Sequence, residues 1–333
     1  MNWKLWLGAG MSTLFLFLAV RKVDADEIGA AMKSAEYLYL VPAVLLGMLS
    51  IGFRALRWRY LLEPVQRIRF HSLFSATVIG LMANNLFPAR LGEFVRAYAI
   101  ARKEGIGKSA SFATIVVERL FDGFTILSFL FIISLLYPFS FPDWVRRIAY
   151  FASGLFVLSL LFLIFLKVRG EKAFHLAHVI TRPFPKKIGD ALLRVLQSFV
   201  QGLQILQHGK NIVVAGFLSF MVWIPFGFII YLLLKSFGIV LPVYVSFFML
   251  SIVCLGVMIP SAPGYVGTIQ FLCVAGLALF GIEKSQALSF SILFHASQFV
   301  PITAIGLLYF FMEGFSFRQI GSSSKIFRDS DRS

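Results

Sequence analysis

Three charged residues lie close together inside a long apolar stretch of the chain. Glu118, Arg119 and Asp122 fall early in the segment 112–137, which otherwise has the composition of a membrane span. A charge near the centre of a spanning helix costs about 2.5–3.5 kcal/mol on insertion scales, so these side chains should face the protein interior and pair. Glu118 and Asp122 share a helix face, and Arg119 can reach Asp122. The spacing predicts either a polar substrate site or a salt-bridged structural cluster near the cytoplasmic interface.

A second group of charges follows a break in an earlier apolar region. Residues 84–92 are Asn-Asn-Leu-Phe-Pro-Ala-Arg-Leu-Gly, and their proline and glycine interrupt a helix. Arg90, Glu93 and Arg96 are spaced to lie on one side of the short helix that follows. Arginine forks bind phosphate oxygens, and a helix N-terminus favours an anion, so we expect Arg90 and Arg96 to hold a lipid phosphate and Glu93 to orient them. Alternatively, these arginines only mark the cytoplasmic side. The candidate binding residues are Asn84, Asn85, Arg90, Glu93, Arg96, Glu118, Arg119 and Asp122.

A later apolar region is broken in the same manner but without charge. Residues 260–267 are Pro-Ser-Ala-Pro-Gly-Tyr-Val-Gly, and they open a half-helix that contains Gln270. We interpret this turn as a gate or a hydrogen-bonding floor, with a purely structural turn as the alternative. The candidate gate residues of the two breaks are Pro88, Gly92, Pro260, Pro263, Gly264, Tyr265, Gly267 and Gln270.

Other patterns resemble chemical sites but lack residues that the chemistry would require. Gly107-Lys-Ser imitates the end of a phosphate-binding loop, but Arg102 occupies the position of the required earlier glycine. His175 and His178 stand in a basic loop without further ligands, so we expect no metal and no cofactor. His295 fits a hydrogen bond between packed helices better than a proton relay. Because no Ser/His/Asp or Cys/His set is visible, the pattern favours a non-enzymatic role.

Composition places these residues in a membrane protein. Of 333 residues, 59% are hydrophobic and only 14% are charged, whereas a soluble domain is about half apolar and a quarter charged. The formal net charge is +15, but the lysines and arginines flank apolar runs. That placement is typical of positive-inside loops and points to anionic lipid, not nucleic acid, as the partner. Cys254 and Cys273 both lie in apolar segments and are expected to be buried thiols.

Segment lengths predict an all-α, polytopic membrane protein with about six to eight transmembrane helices. A bilayer core of about 30 Å needs about 20 apolar residues of helix. The candidate spans are 3–20, 37–56, 112–137, 147–166, 211–235 and 285–312. Two further apolar regions, 70–102 and 243–281, contain the two breaks.

Charge then orients the segments. The segment with Arg54 and Arg57, the segment 167–210 and the C-terminal tail are basic and should be cytoplasmic, whereas 21–36 is balanced and suits the outside. Regions 70–102 and 243–281 must then each start and end on one side, as re-entrant segments. The alternative is a set of eight ordinary spans, two of them kinked.

This arrangement predicts an inverted repeat within one membrane domain, 1–317, followed by a short polar tail, 318–333. The first half covers about 1–137 and the second about 147–312, and both chain termini are cytoplasmic. The loop 167–210 between the halves carries a basic amphipathic helix, which we expect to anchor the topology at the membrane surface rather than to regulate it. Paired broken helices in such repeats are typical of substrate sites in transporters.

The charged motifs resemble those of a known family. The run Asn85-Leu-Phe-Pro-Ala-Arg-Leu-Gly-Glu-Phe-Val-Arg-Ala97, followed by Val117-Glu-Arg-Leu-Phe-Asp122, is similar to the lysylphosphatidylglycerol synthase transmembrane family, whose members are called flippase-like proteins. The turn 260–267 resembles that family's second signature, and the likeness covers nearly the whole chain.

The resemblance implies a module of a bacterial-type inner membrane that translocates or presents lipids with modified or glycosylated head groups. In the multiple peptide resistance factor a similar module accompanies an aminoacyl-transferase domain, and in some archaeal relatives a glycosyltransferase domain. Only a short tail follows Phe317 here, so we expect the membrane module alone.

Three hypotheses follow. The first is a lipid flippase or transporter whose partner is an anionic or lipid-linked membrane lipid, with Glu118 and Asp122 meeting a cationic group or a coupling proton. The second is a membrane enzyme or transferase subunit acting on a lipid-linked sugar. The third is a membrane partner that recruits a cytoplasmic lipid-modifying enzyme.

Overall fold

The computed structural model describes residues 3–21, 23–87, 91–136, 209–258 and 261–316, with scattered positions between 147 and 161. Within these residues the chain is helical and has no strand. The helices are α1 (Trp3–Val20), α2 (Ala25–Ser34), α3 (Leu40–Leu62), α4 (Phe70–Leu86), α5 (Gly92–Glu104), α6 (Lys108–Leu136), α7 (Gly209–Ser236), α8 (Val243–Gly256), α9 (Thr268–Ala278) and α10 (Lys284–Met312). Two 3-10 turns, Tyr37–Tyr39 and Pro263–Tyr265, precede α3 and α9.

Within the described ranges, four segments are long and apolar enough to cross a bilayer. They are Tyr37–Leu62, Ala110–Leu136, Lys210–Ser236 and Lys284–Met312. Shorter apolar helices occur at Gly10–Val20, Val243–Gly256 and Pro263–Ala278. The predicted all-α, polytopic membrane architecture is therefore confirmed.

Several expectations fall outside the described residues. The predicted span 147–166 is described only at scattered positions, and the amphipathic segment 167–210 falls almost wholly outside, as does the tail 318–333. The inverted repeat and its two halves therefore stay predictions.

Both predicted breaks are present. The first separates α4 from α5 between Leu86 and Gly92, and the second separates α8 from α9 between Gly256 and Thr268. Around the second break Gly264 and Gly267 have φ of +68° and +85°, values that side chains disfavour and glycine adopts freely. Glycine is therefore needed for the shape of this turn.

The segment 21–36 is more ordered than its balanced charge suggested, because it contains α2. Asp24 starts this helix by accepting a hydrogen bond from the Asp26 N–H at 3.0 Å. Asp26 and Glu27 lie in the first turn and Lys33 in the last, which matches the helix dipole. The short acidic helix was recognisable from its capping residue.

Helix packing creates three apolar clusters among the described residues, two large and one small. One large cluster surrounds Trp58 and Met82 between α3, α4, α5 and α10, and the other surrounds Ile229 and Phe290 between α7, α8, α9 and α10. Close helix approach depends on small residues, as expected in a membrane. A Cβ at Gly306 of α10 would lie only 2.3 Å from Met82 Cβ of α4. These tight contacts hold α4 and α5 against the long helices that carry the site.

Candidate functional site

Arg57, on the last turns of α3, is the centre of a buried ion cluster. Its side chain is fully buried, and its Nη1 donates to Asp122 Oδ1 at 2.7 Å and to Ser219 Oγ at 2.8 Å. Its Nη2 donates to Glu118 Oε1 at 3.1 Å. The predicted pairing of the two carboxylates on one face of α6 is therefore realised, but around an arginine from another helix. One guanidinium joins α3, α6 and α7.

The second oxygen of Glu118 binds Arg96 of α5. Arg96 Nη1 donates to Glu118 Oε2, and the guanidinium stacks on the ring of Trp58 with its central carbon 3.7 Å from the ring centroid. Trp58 is itself fully buried, and its Nε1 donates to Thr114 Oγ1 at 2.9 Å. The Glu118 carboxylate therefore binds an edge of the Arg96 guanidinium, and the Trp58 indole packs on its face.

Asp122, the middle residue of α6, is the second hub of the cluster. Besides Arg57, it accepts a hydrogen bond from Trp223 Nε1 of α7 at 2.8 Å. Arg119 Nη2 lies 3.1 Å and Arg54 Nη1 3.5 Å from its Oδ2, so the predicted Arg119–Asp122 contact is present. Three arginines therefore surround one carboxylate, which is consistent with a charge held deep in a spanning helix.

The cluster is open to its surroundings on one side. The Arg119 side chain is 36% exposed and that of Glu93 is 24% exposed, with Arg119 Nε 3.6 Å from Glu93 Oε1. The exposed edge of the cluster is therefore formed by Arg119 and Glu93.

The ion cluster consists of Arg54, Arg57, Arg96, Arg119, Glu93, Glu118 and Asp122. Among the described residues, four arginines against three carboxylates leave this cluster one positive charge in excess. A buried excess charge is costly unless it is compensated, so the cluster is chemically suited to an anion. The described residues include no group of three or more His, Cys, Asp or Glu that could hold a metal ion.

The first break is built around Asn84 and two glycines. Asn84 Oδ1 accepts the Gly92 N–H at 2.8 Å, which satisfies one of the free donors at the N-terminus of α5. A Cβ on Gly92 would lie 1.9 Å from the Gly80 carbonyl oxygen, and one on Gly80 would lie 2.7 Å from Arg96 Cβ. The two glycines therefore let α4 and α5 touch and fix the position of Arg96.

The two breaks are in contact with each other. Asn85 Nδ2 donates to Thr303 Oγ1 of α10 at 2.9 Å, and a Cβ on Gly264 would lie 3.2 Å from the Asn85 carbonyl oxygen. Because Gly264 packs on this carbonyl, the end of α4 rests on the turn that precedes α9. Asn85 is therefore a structural link between the breaks.

The second break is held by its own polar contacts. Gln270 Oε1 accepts the Gly267 N–H at 2.7 Å, and Gln270 Nε2 lies 3.1 Å from His295 Nδ1 of α10. Ser12 Oγ of α1 accepts the Ala262 N–H at 2.7 Å. His295 thus makes the predicted hydrogen bond between packed helices, and Gln270 supports the turn instead of reaching the ion cluster.

Some predicted roles change in the structure. Glu93 was expected to orient Arg96, but Glu118 makes that contact and Glu93 faces Arg119, because Arg96 points from α5 towards the buried face of α6. Pro263 begins the 3-10 turn before α9. Arg90, Pro88 and Pro260 lie outside the described residues, so their roles stay predictions.

Several residues of the cluster were not predicted from the sequence. Arg54 and Arg57 were grouped with the basic cytoplasmic loop, yet α3 continues to Leu62 and buries both. Their spacing of three residues on an apolar helix was the available signal, since it places both on one face. The contributions of Ser219 and Trp223 had no such signal, because an isolated serine or tryptophan in a span is common.

Fold and site together define a polytopic α-helical membrane protein with a buried arginine–carboxylate cluster beside two broken helices. The family model described as the lysylphosphatidylglycerol synthase TM region matches residues 5–306. The chain therefore belongs to this family, as the motif resemblance predicted.

Several curated proteins are similar over most of this chain. A UPF0104 membrane protein of Methanothermobacter thermautotrophicus is 25% identical over 298 residues, which cover 86% of this chain and 88% of the relative. A UPF0104 membrane protein of Methanocaldococcus jannaschii is 24% identical, with 90% and 91% covered. Glycosyltransferase AglD of Haloferax volcanii is 25% identical over 90% of this chain, which spans only 52% of that relative. No solved structure matches this chain.

Proposed function

We propose that this protein is a flippase or transporter for a membrane lipid with an anionic head group. The observation that carries the proposal is the ion cluster, in which four arginines outnumber three carboxylates deep among α3, α5, α6 and α7. A phosphate on a lipid is the anion available at this depth, and it would neutralise the excess charge. Arginine is suited to this task because its planar fork matches phosphate oxygens.

The carboxylates of the cluster allow the site to hold its arginines together and later to release them. Glu118 and Asp122 hold Arg57, so they keep the arginines together when no anion is bound. Without them, like charges on neighbouring helices would repel one another. A cationic group on the substrate or a proton can then compete for these carboxylates, which would loosen the cluster for release.

The broken helices supply the movement. The turn around Gly264 rests on the end of α4, the helix whose Gly80 packs against Arg96 of the cluster. Discontinuous helices at matching positions of two repeats are typical of alternating-access transporters. We propose that the two predicted halves rock about the cluster, with both chain termini on the cytoplasmic side of an inner membrane.

Reconstitution tests the proposal directly. The full chain is placed in vesicles of phosphatidylcholine with labelled phosphatidylglycerol, and access of the label to an external quencher is followed over time. We expect Glu118→Gln to slow lipid movement at least tenfold, because Arg57 and Arg96 lose their shared partner. The matched control is Glu63→Gln, whose partner is the highly exposed Arg67 at 3.6 Å. Wild-type rates in Glu118→Gln would contradict the assignment, and the sequence-based role of Arg90 predicts a similar loss in Arg90→Ala.

A second candidate function is that of a membrane subunit in lipid-linked sugar transfer. The observation in its favour is the similarity of 90% of this chain to half of Glycosyltransferase AglD. This candidate includes recruitment of a cytoplasmic lipid-modifying enzyme. It predicts a new lipid species in mass spectra of the vesicles, or co-purification of a cytoplasmic transferase, whereas the flippase moves lipid without chemical change.

A further inference from the structure

Arg96 carries a pair of buried donors that the described protein does not use. Its Nη1 is bound to Glu118, but its Nε and Nη2 are buried and have no hydrogen-bond partner among the described residues. These two nitrogens form the side edge of the guanidinium, which can bind two oxygens of one oxyanion at once. The side chain is only 5% exposed, so water does not offer an easy substitute.

Arg57 of the same cluster differs from Arg96 because its donors are used by protein partners. Its Nε and Nη2 both donate to Glu118 Oε1, at 3.3 and 3.1 Å, and its Nη1 serves Asp122 and Ser219. Both arginines bind Glu118. All nitrogens of Arg57 have protein partners, as expected of a structural cation, whereas Arg96 has two nitrogens left for a ligand.

The side edge of Arg96 is held in a fixed orientation. The face of the guanidinium stacks on Trp58, whose Nε1 is bound to Thr114, and Thr114 in turn donates to the Ser111 carbonyl at 2.7 Å. On the other side, the backbone of α5 is pressed against Gly80 of α4. A receptor whose rotamers are fixed before binding loses less entropy when the ligand arrives.

We propose that the side edge of Arg96 is the receptor for two oxygens of a single oxyanion and that Trp58 is its positioning residue. The proposal rests on the proposed function in one respect: the oxyanion belongs to the head group of the transported lipid. A phosphodiester lipid and free phosphate share the chemistry that the edge recognises, so the experiment includes both.

Binding is measured on the full chain in detergent micelles, independently of transport. Thermal stability is followed while short-chain dihexanoylphosphatidylglycerol or inorganic phosphate is added, with dihexanoylphosphatidylcholine as the control for detergent effects. A ligand that binds only the folded protein raises its melting temperature in proportion to the logarithm of its concentration. We expect the melting temperature to rise with the phosphatidylglycerol.

Arg96→Lys is the decisive variant because it keeps a charge for Glu118 but has no side edge. We expect its dissociation constant to rise at least tenfold. The matched control is Arg102→Lys on the same helix, where the exposed guanidinium lies over Phe315 and outside the cluster. If Arg96 only balanced the charge of Glu118, lysine would serve as well and both variants would bind like wild type. That result would overturn the proposal.

Two substitutions of Trp58 test whether its aromatic ring is required for binding. Trp58→Phe keeps a ring under the guanidinium and is expected to bind within threefold of wild type, whereas Trp58→Leu is expected to weaken binding at least tenfold. The melting temperature without ligand separates this effect from loss of stability. Equal affinities in the two variants would remove Trp58 from the receptor.

Wild-type protein provides a test that needs no folded variant. Nitrate presents two oxygens to a fork, whereas chloride carries the same charge but is spherical, so at equal concentration nitrate should displace dihexanoylphosphatidylglycerol more effectively by at least tenfold. Equal displacement by the two anions would show attraction to charge alone and would refute the receptor.

The outcomes separate the receptor from the transport proposal. Binding that depends on Arg96, in a protein that moves no lipid, keeps the receptor and rejects the flippase. Binding of inorganic phosphate without phosphatidylglycerol identifies a soluble oxyanion as the ligand and also rejects the flippase. Stabilisation by neither probe refutes the receptor itself.

Discussion

Removal of Arg57 is the sharpest test of the ion cluster. Arg57→Ala leaves Glu118 without its Arg57 contact at 3.1 Å and Asp122 without its contact at 2.7 Å, in a region where both side chains are almost fully buried. Breaking a buried ion pair by removing one partner costs about 3–5 kcal/mol. Since Arg57 serves two carboxylates, we expect a loss in the upper part of that range.

The natural control lies two residues away on the same helix. Arg59 is exposed, and surface substitutions of this kind usually change stability by less than about 0.5 kcal/mol. The free energy of unfolding of Arg57→Ala and Arg59→Ala is compared in mixed micelles, with sodium dodecyl sulfate as denaturant and far-ultraviolet circular dichroism as signal. The expected gap corresponds to more than a hundredfold change in the unfolding equilibrium, at about 1.4 kcal/mol per tenfold.

A second substitution tests whether Asp122 still serves the other arginines once Arg57 is removed. In Arg57→Ala with Asp122→Asn, the side chain at position 122 is neutral while its amide oxygen can still accept from Trp223. We expect this double variant to lose at least about 1 kcal/mol more than Arg57→Ala, because Arg119 and Arg54 lose the counter-ion that they keep in the single variant. If Arg57→Ala lies within about 1 kcal/mol of Arg59→Ala, Arg57 is not the central counter-ion and the reasoning fails.

The remaining predictions concern the breaks and the link between the halves. Gly92→Ala places a Cβ 1.9 Å from a carbonyl oxygen of α4 and should cost about 1–3 kcal/mol in unfolding free energy. Gly267→Ala adds a Cβ 2.3 Å from a carbonyl oxygen of α1, at a φ of +85°, and should cost at least as much. The control is Gly123→Ala, where a Cβ meets nothing within 4 Å and the unfolding free energy should stay near that of wild type. Trp223→Phe removes an N–H donor to Asp122 and should cost about 1.5–3 kcal/mol, so an unchanged midpoint would show that this hydrogen bond does not stabilise the fold.

The cluster also joins the two predicted halves. Ser219 and Trp223 of α7 hold Arg57 and Asp122 of the first half, and Ser50 Oγ donates to the Val222 carbonyl at 2.8 Å. Any rocking of one half against the other must break these contacts. Charge exchange at the cluster and movement of the helices are therefore coupled in the proposed cycle.

Sequence by itself determined the class of protein and much of the site. Apolar runs of sufficient length specify spanning helices, because a helix satisfies its backbone hydrogen bonds within its own segment, as the bilayer core requires. Proline and glycine placed both breaks, and charges inside an apolar run identified Glu118, Arg119 and Asp122 as paired and the two carboxylates as buried. Each of these inferences depends on properties local to one segment.

Only the tertiary structure decided which residues meet. Arg57 binds carboxylates more than sixty positions away, and Trp223 binds one about a hundred positions away, which no local spacing records. The same holds for Arg96, whose choice of Glu118 over Glu93 depends on how α5 crosses α4 at Gly80 and Gly92. Helix propensity and hydropathy act within a segment, whereas partner choice depends on the relative position of helices, and that position is set by packing across the whole chain.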